Sequence, residues 1–107
     1  MSKLPGQYRL IKKRHNKFSD AVNNLGRAVR ASGPVDEKTS HLIQLAASAA
    51  IRSEGSVHSH TRRAIESGAT PDEVRHAIIL LTSTIGFPTV SAALSWVDDV
   101  IESKKKK

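Results

Sequence analysis

Cysteine is absent from the 107 residues of the chain. Its absence excludes disulfide bonds, thiolate metal sites and thiol nucleophiles. Long hydrophobic runs are missing too, since no stretch approaches the roughly 18 apolar residues of a membrane-spanning helix. The basic segment 1–17 also lacks the apolar stretch of a signal peptide. The sequence therefore predicts a cytoplasmic protein that does not contact membranes.

Acidic residues are absent from both ends of the chain. Six basic residues lie in 1–17 and four lysines form 104–107, whereas 18–103 holds seven basic and ten acidic residues. The net charge of +7 thus comes from the ends, and aromatic side chains that could stack on bases make up only 4% of the chain. We therefore expect no specific nucleic-acid binding. The expected organisation is a basic flexible or short-helical arm at 1–15, a single helical domain at 16–103 and a lysine tail at 104–107.

Apolar residues recur at helical spacing, and no alternating strand pattern is present. Phe18, Val22, Leu25 and Val29 follow the spacing i, i+4, i+7 and i+11, which predicts an amphipathic helix. The nearly uncharged segment 42–51 predicts a central helix buried on most sides. Further helix starts are expected at Asp36, at Ser53 and at Thr70 with Pro71. Helix ends are expected at Gly33 with Pro34, at Gly68, and at Gly86 with Pro88.

These helices predict an all-α fold of five or six helices with short connections. The apolar surface of the segments 42–51 and 74–85 exceeds what one small bundle would cover. We therefore expect the chain to form a homo-oligomer.

His60 is the most informative residue of the stretch 53–73. Val57, His60, Thr61 and Ala64 share one helical stripe, so the imidazole of His60 is expected to face inward. An unpaired buried polar group costs about 1–3 kcal/mol. His60 is therefore either hydrogen-bonded within the fold or retained for proton transfer, and the sequence leaves both readings open.

The other histidines make a weak case for a metal site. His58 lies roughly 200° from His60 around the helix, so the two rings face different sides. His41, His58 and His60 also form no i, i+4 pair of ligands. We expect no metal and no other cofactor.

Three motifs follow one another between Pro34 and Val100. The first is Val35-Asp36-Glu37-Lys38-Thr39-x-x-Leu42-Ile43-x-Leu45-Ala46. The second is His60-x-x-x-Ala64-Ile65-x-x-Gly68-Ala69-Thr70-x-x-Glu73-Val74, and the third is Gly86-x-Pro88. In this order and spacing they resemble the carboxymuconolactone decarboxylase family, which includes the alkylhydroperoxidase AhpD-like proteins.

The resemblance implies an AhpD-like helical protomer in homotrimers or homohexamers, with the active site around His60. The redox branch of the family carries Cys-x-x-Cys at the positions of Ser53 and Ser56, and a glutamate at the position of His41. A serine hydroxyl is not acidic enough to replace those thiols. Thiol peroxidase activity is therefore not expected.

The decarboxylase branch works without cysteines and without a cofactor. The resemblance of this chain to that branch implies removal of carbon dioxide from a small carboxylated lactone or enol, with His60 as the proton donor. That branch usually has a glutamate at Ser56 and a tyrosine at Thr84, while Gly86 and Pro88 are expected to shape the wall of the pocket. The sequence thus leaves two hypotheses, a carboxy-lyase and a non-catalytic oligomeric binding protein.

Overall fold

The computed structural model describes residues 6–105, which form seven helical segments and no strand. Six of these segments have nine residues or more, and the remaining one, Thr82–Ile85, is a single turn of four residues. The predicted all-α fold is confirmed. The chain divides into two compact units, residues 1–34 and 35–107. Residues 1–5 of the predicted arm and 106–107 of the predicted tail lie outside the described residues.

The first unit consists of helix α1, Gly6–Arg14, and helix α2, Asn16–Arg30. The two helices are joined by a hydrogen bond in which the Asn23 side-chain amide donates to the Tyr8 hydroxyl at 3.0 Å. The predicted apolar stripe of α2 is present, but its side chains are between 49% and 63% exposed. Ser19 is the only buried residue in 6–34.

The second unit begins with three helices whose starts follow from the sequence. Asp36 caps helix α3, Glu37–Ala50, by accepting a hydrogen bond from the Thr39 amide at 2.7 Å. Helix α4, Glu54–Glu66, follows after a two-residue turn and Ser53. Helix α5, Pro71–Ile79, starts with a complete capping box between Thr70 and Glu73.

The segment between the predicted helix start at Thr70 with Pro71 and the predicted break at Gly86 is not one continuous helix. Helix α5 ends at Ile79, and the single turn α6 comprises Thr82–Ile85. The Thr82 hydroxyl donates to the carbonyl oxygen of Ile79 at 2.7 Å. A side-chain donor thus hydrogen-bonds to a backbone carbonyl at the end of the helix. Gly86, at a φ of 92°, then redirects the chain into helix α7, Phe87–Lys105.

The core of the second unit lies between α3, α4, α5 and α7. It is built from small and branched side chains, and the small residues of α3 allow a close approach of α4. Within residues 6–105, no helix combines the length and apolar character needed to cross a membrane. The fully buried residues of this core are Leu45 and Ala49 of α3, Val57, Thr61 and Ala64 of α4, Val74 and Ile78 of α5, and Val90, Ala93 and Val97 of α7.

Candidate functional site

His41 and His60 face each other across the contact between α3 and α4. Their Nδ1 atoms are 3.5 Å apart, and their ring centroids are 5.7 Å apart at an interplanar angle of 36°. His41 is 2% exposed, whereas His60 is only half-buried. The ring of His60 flanks the fully buried stripe of Val57 and Thr61 rather than lying in its centre. One imidazole is therefore held in the interior, and the other lies at the edge of the core.

The Nδ1 pair determines how protons can be distributed over the two rings. In a neutral imidazole one nitrogen donates and the other accepts. A hydrogen bond between the two Nδ1 atoms, here at the upper limit of length, therefore requires a proton on one Nδ1 and a lone pair on the other. Two protonated rings at this distance would repel each other. The contact therefore accommodates at most one proton between the two Nδ1 atoms.

Glu37 extends this pair toward the surface. Its Oε2 atom lies 3.9 Å from Nε2 of His41, one helical turn away on α3, and its side chain is 72% exposed. The separation is too long for a direct hydrogen bond. A carboxylate in water, a buried imidazole and a half-buried imidazole thus follow one another in space.

A second polar contact between α3 and α4 joins two hydroxyl groups. The Oγ atoms of Ser48 and Ser56 are 2.6 Å apart, and the Ser48 hydroxyl donates to the Gln44 carbonyl at 2.7 Å. Because Ser48 has only one hydroxyl proton, Ser56 donates to Ser48 in this arrangement. A serine nucleophile is activated by a neighbouring base, and these two contacts supply a hydroxyl and a carbonyl instead. They stabilise the helix pair.

Comparison with known proteins identifies the family. The family model for carboxymuconolactone decarboxylases matches residues 16–99, more than three quarters of the chain. This chain belongs to the carboxymuconolactone decarboxylase family. An uncharacterized protein of Methanocaldococcus jannaschii is 30% identical over 91 residues, which cover 85% of each chain.

The two serines that the resemblance places at the thiol positions of the redox branch lie at the start of α4 in this family member. Ser53 occupies the N-cap position of α4 with an extended backbone, as expected, but its side chain makes no capping hydrogen bond. Its backbone amide instead donates to the carbonyl oxygen of Ser48 at 3.0 Å, which closes the turn between α3 and α4. Ser56 is engaged with Ser48. Both positions are therefore integrated into the α3–α4 connection.

The remaining predicted site residues lie at the connection between α6 and α7. Thr84 is exposed on α6, Gly86 ends that turn, and Pro88 is the second residue of α7 and is exposed. The described hydrogen bonds of the histidine pair and the serine pair lie instead between α3 and α4. A role of the α6–α7 connection as a pocket wall stays a prediction.

The sequence does not single out three residues that contact its histidines and serines, Glu37, Ser48 and Asp99. Glu37 could have been recognised, because a glutamate four residues before His41 is an i, i+4 neighbour on a helix. Ser48 and Asp99 carry no local signal, since each meets its partner through the packing of two helices. Asp99 accepts from His58, and this contact directs His58 toward α7 rather than toward the His41–His60 pair.

Proposed function

We propose that this protein catalyses cofactor-free decarboxylation or proton transfer on a small carboxylated lactone or enol, with His60 as the proton donor. The observation that carries the proposal is the pairing of a half-buried imidazole with a buried one at 3.5 Å between Nδ1 atoms. Membership of the carboxymuconolactone decarboxylase family supports the reaction class. The absence of cysteine leaves imidazole as the acid–base group best suited to neutral pH.

The reaction requires a proton at one defined moment. When the bond between the ring carbon and the carboxylate breaks, carbon dioxide leaves and the electron pair stays behind as a dienolate. A proton must then reach the dienolate carbon. Proton transfer from His60 would use Nε2, because Nδ1 is already directed at His41. A positioned general acid of this kind contributes about 10²–10⁴-fold to the rate.

His41 orients the donor rather than reloading it. A protonated His60 can donate its Nδ1 proton to Nδ1 of a neutral His41, which then carries its own proton on Nε2, 3.9 Å from the Glu37 carboxylate. After Nε2 of His60 has given its proton to the dienolate carbon, His60 is neutral and keeps its proton on Nδ1. Nε2 of His60 takes up a proton from water once the product has left, because the ring is only half-buried.

Two arginines next to His60 suit a carboxylated substrate. Arg62 and Arg63 follow it on α4, and both are half-buried. Among the described residues, no carboxylate lies within ion-pair distance of either guanidinium. Arg63 is three residues from His60 and thus on the same side of the helix. A guanidinium there could bind the substrate carboxylate in a bidentate manner.

The proposal is tested by following carbon dioxide release from 4-carboxymuconolactone. Wild-type protein is compared with His60→Gln, His41→Gln and, as a matched control, His76→Gln, which alters an exposed histidine of α5. We expect His60→Gln to lower kcat by about 100-fold or more and His41→Gln to lower it less, while His76→Gln retains wild-type turnover. Equal rates in wild type and His60→Gln, with all variants folded, would contradict the proposal.

A second candidate is a family member that binds a ligand or partner without catalysis. The burial of His41 favours it, because a buried histidine hydrogen-bonded across a helix contact also stabilises a fold. In that case wild-type protein releases no carbon dioxide, and His41→Gln lowers stability. Carboxylated lactones would then bind, as measured by calorimetry, without being converted.

Self-association completes the proposal. Large apolar side chains remain exposed in the single chain, including Phe18 and Leu25 of α2 and Leu80 and Phe87 of the second unit, each more than 60% exposed. Exposed apolar area of this kind marks association surfaces. We propose a homotrimer or homohexamer, which sedimentation equilibrium would reveal. A monomer at micromolar concentration would contradict it.

A further inference from the structure

Three side chains from two helices converge away from the His41–His60 pair. His58 and Glu54 lie one turn apart on α4, and Asp99 projects from α7. Nε2 of His58 is 3.1 Å from Oδ2 of Asp99 and 3.9 Å from Oε2 of Glu54. The three atoms all lie within 4.8 Å of one another.

We propose that Glu54, His58 and Asp99 form a binding site for a divalent transition-metal ion such as Zn²⁺. The donor set is mixed, with one imidazole nitrogen and two carboxylate oxygens, which suits borderline ions. Mg²⁺ and Ca²⁺ prefer oxygen ligands alone. With a neutral imidazole the set carries two negative charges, which a divalent ion neutralises.

The two distances from His58 are compatible with tetrahedral coordination. Bonds of about 2.0–2.2 Å from Zn²⁺ to nitrogen and oxygen place neighbouring ligand atoms about 3.4 Å apart. The distances from His58 to its two partners, 3.1 Å and 3.9 Å, lie on either side of that value. A rotamer adjustment of the exposed Glu54 would close the longer distance. An ion could therefore take the place of the direct contact between His58 and Asp99.

The scaffold holds two of the ligands in register. Val57 and Thr61 of α4 and Val97 of α7 are fully buried, so the two helices are fixed against each other beside the site. The ligands themselves remain accessible, since the side chains of Glu54, His58 and Asp99 are 58%, 26% and 57% exposed. Water or a ligand can supply the fourth coordination position, as in open zinc sites.

The first test is titration of the full-length protein, prepared free of metal, with ZnCl₂ by calorimetry and with CoCl₂ by visible absorption. We expect one ion per chain and the visible bands of tetrahedral cobalt. His58→Ala and Asp99→Asn should each lower the affinity by about 100-fold or more, because loss of outer partners alone costs about 10–100-fold. MgCl₂ serves as the control ion and should not compete.

Two further variants distinguish this site from other histidines. His60→Ala alters the proposed catalytic pair, and His76→Ala alters an exposed histidine outside the cluster; both should bind Zn²⁺ as wild type does. Zinc binding that survives His58→Ala, or that is lost in His60→Ala, would overturn the proposal. Absence of Zn²⁺ binding in wild type would also overturn the proposal. The contact between His58 and Asp99 would then serve only as an ion pair between α4 and α7. The readout is independent of decarboxylation.

Discussion

Replacement of Thr61 by valine should stabilise the protein. Thr61 is 0% exposed on α4, and its Oγ1 atom has no hydrogen-bond partner among the described residues. A buried donor or acceptor without a partner costs about 1–3 kcal/mol, whereas an apolar group of the same shape costs nothing of this kind. Valine keeps the branched shape, and its helix propensity is similar to that of threonine.

The expected magnitude follows from these terms. Thr61→Val should raise the free energy of unfolding by about 1 kcal/mol, the lower end of the unsatisfied-group penalty. For a chain of this size that corresponds to an increase of Tm by roughly 4–8 °C. Thr61→Ser provides the matched control, because it retains the hydroxyl and removes one methyl group. It should destabilise by about 1 kcal/mol through lost burial and the space left behind.

The assay is urea unfolding followed by circular dichroism, with m-values compared between variants. Association couples stability to protein concentration, so all variants are measured at the same series of concentrations. If Thr61→Val lowers stability by about 1 kcal/mol or more, the hydroxyl has a partner in the native assembly. The assignment of an unsatisfied group would then be wrong.

Further predictions concern caps, backbone strain and acid stability. Arg52 has a φ of 58°, where glycine is unstrained, so Arg52→Gly should be more stable than Arg52→Ala by about 1 kcal/mol in urea unfolding; equal stabilities would contradict it. Thr70→Ala should cost about 1 kcal/mol by removing the capping box of α5, and Thr70→Ser should restore most of it. The hydrogen bond from Thr39 holds the pKa of Asp36 below its ordinary value of 3.8, and the hydrogen bond from Thr70 holds that of Glu73 below 4.5. Both carboxylates therefore stabilise the fold at pH values above their ordinary pKa values. The free energy of unfolding should fall as the pH drops through the lowered pKa values. In the double variant Asp36→Asn, Glu73→Gln, the free energy of unfolding should fall less steeply than in wild type between about pH 5 and 3.

Helix starts could be predicted from the sequence because their determinants are local. Asp36 caps α3, and Thr70 with Glu73 closes the box of α5, through contacts three residues apart. The sequence does not predict the end of α5 at Ile79, since apolar periodicity continues to Ile85. The position of this helix end depends on the hydrogen bond from the Thr82 hydroxyl to the Ile79 carbonyl oxygen and on the packing around it.

The site could be predicted only in part. The periodicity placed His60 on the inward side of α4, and the structure moves it to the edge of the stripe. Its partner His41 lies 19 residues earlier and meets it only because α3 and α4 pack closely. The contact of His58 with Asp99 likewise depends on the packing of α7 against α4. Sequence spacing carries no information on such contacts between helices.

Proton exchange in deuterium oxide tests the central claim most directly. By microscopic reversibility, a group that protonates the dienolate also removes that proton from the decarboxylated lactone. Proton NMR should therefore show the protein catalysing exchange of the lactone proton next to the carbonyl, and His60→Ala should abolish this catalysis while His76→Ala retains it. Exchange at the uncatalysed rate with wild-type protein, or at the wild-type rate with His60→Ala, would contradict the assignment of His60 as the proton donor.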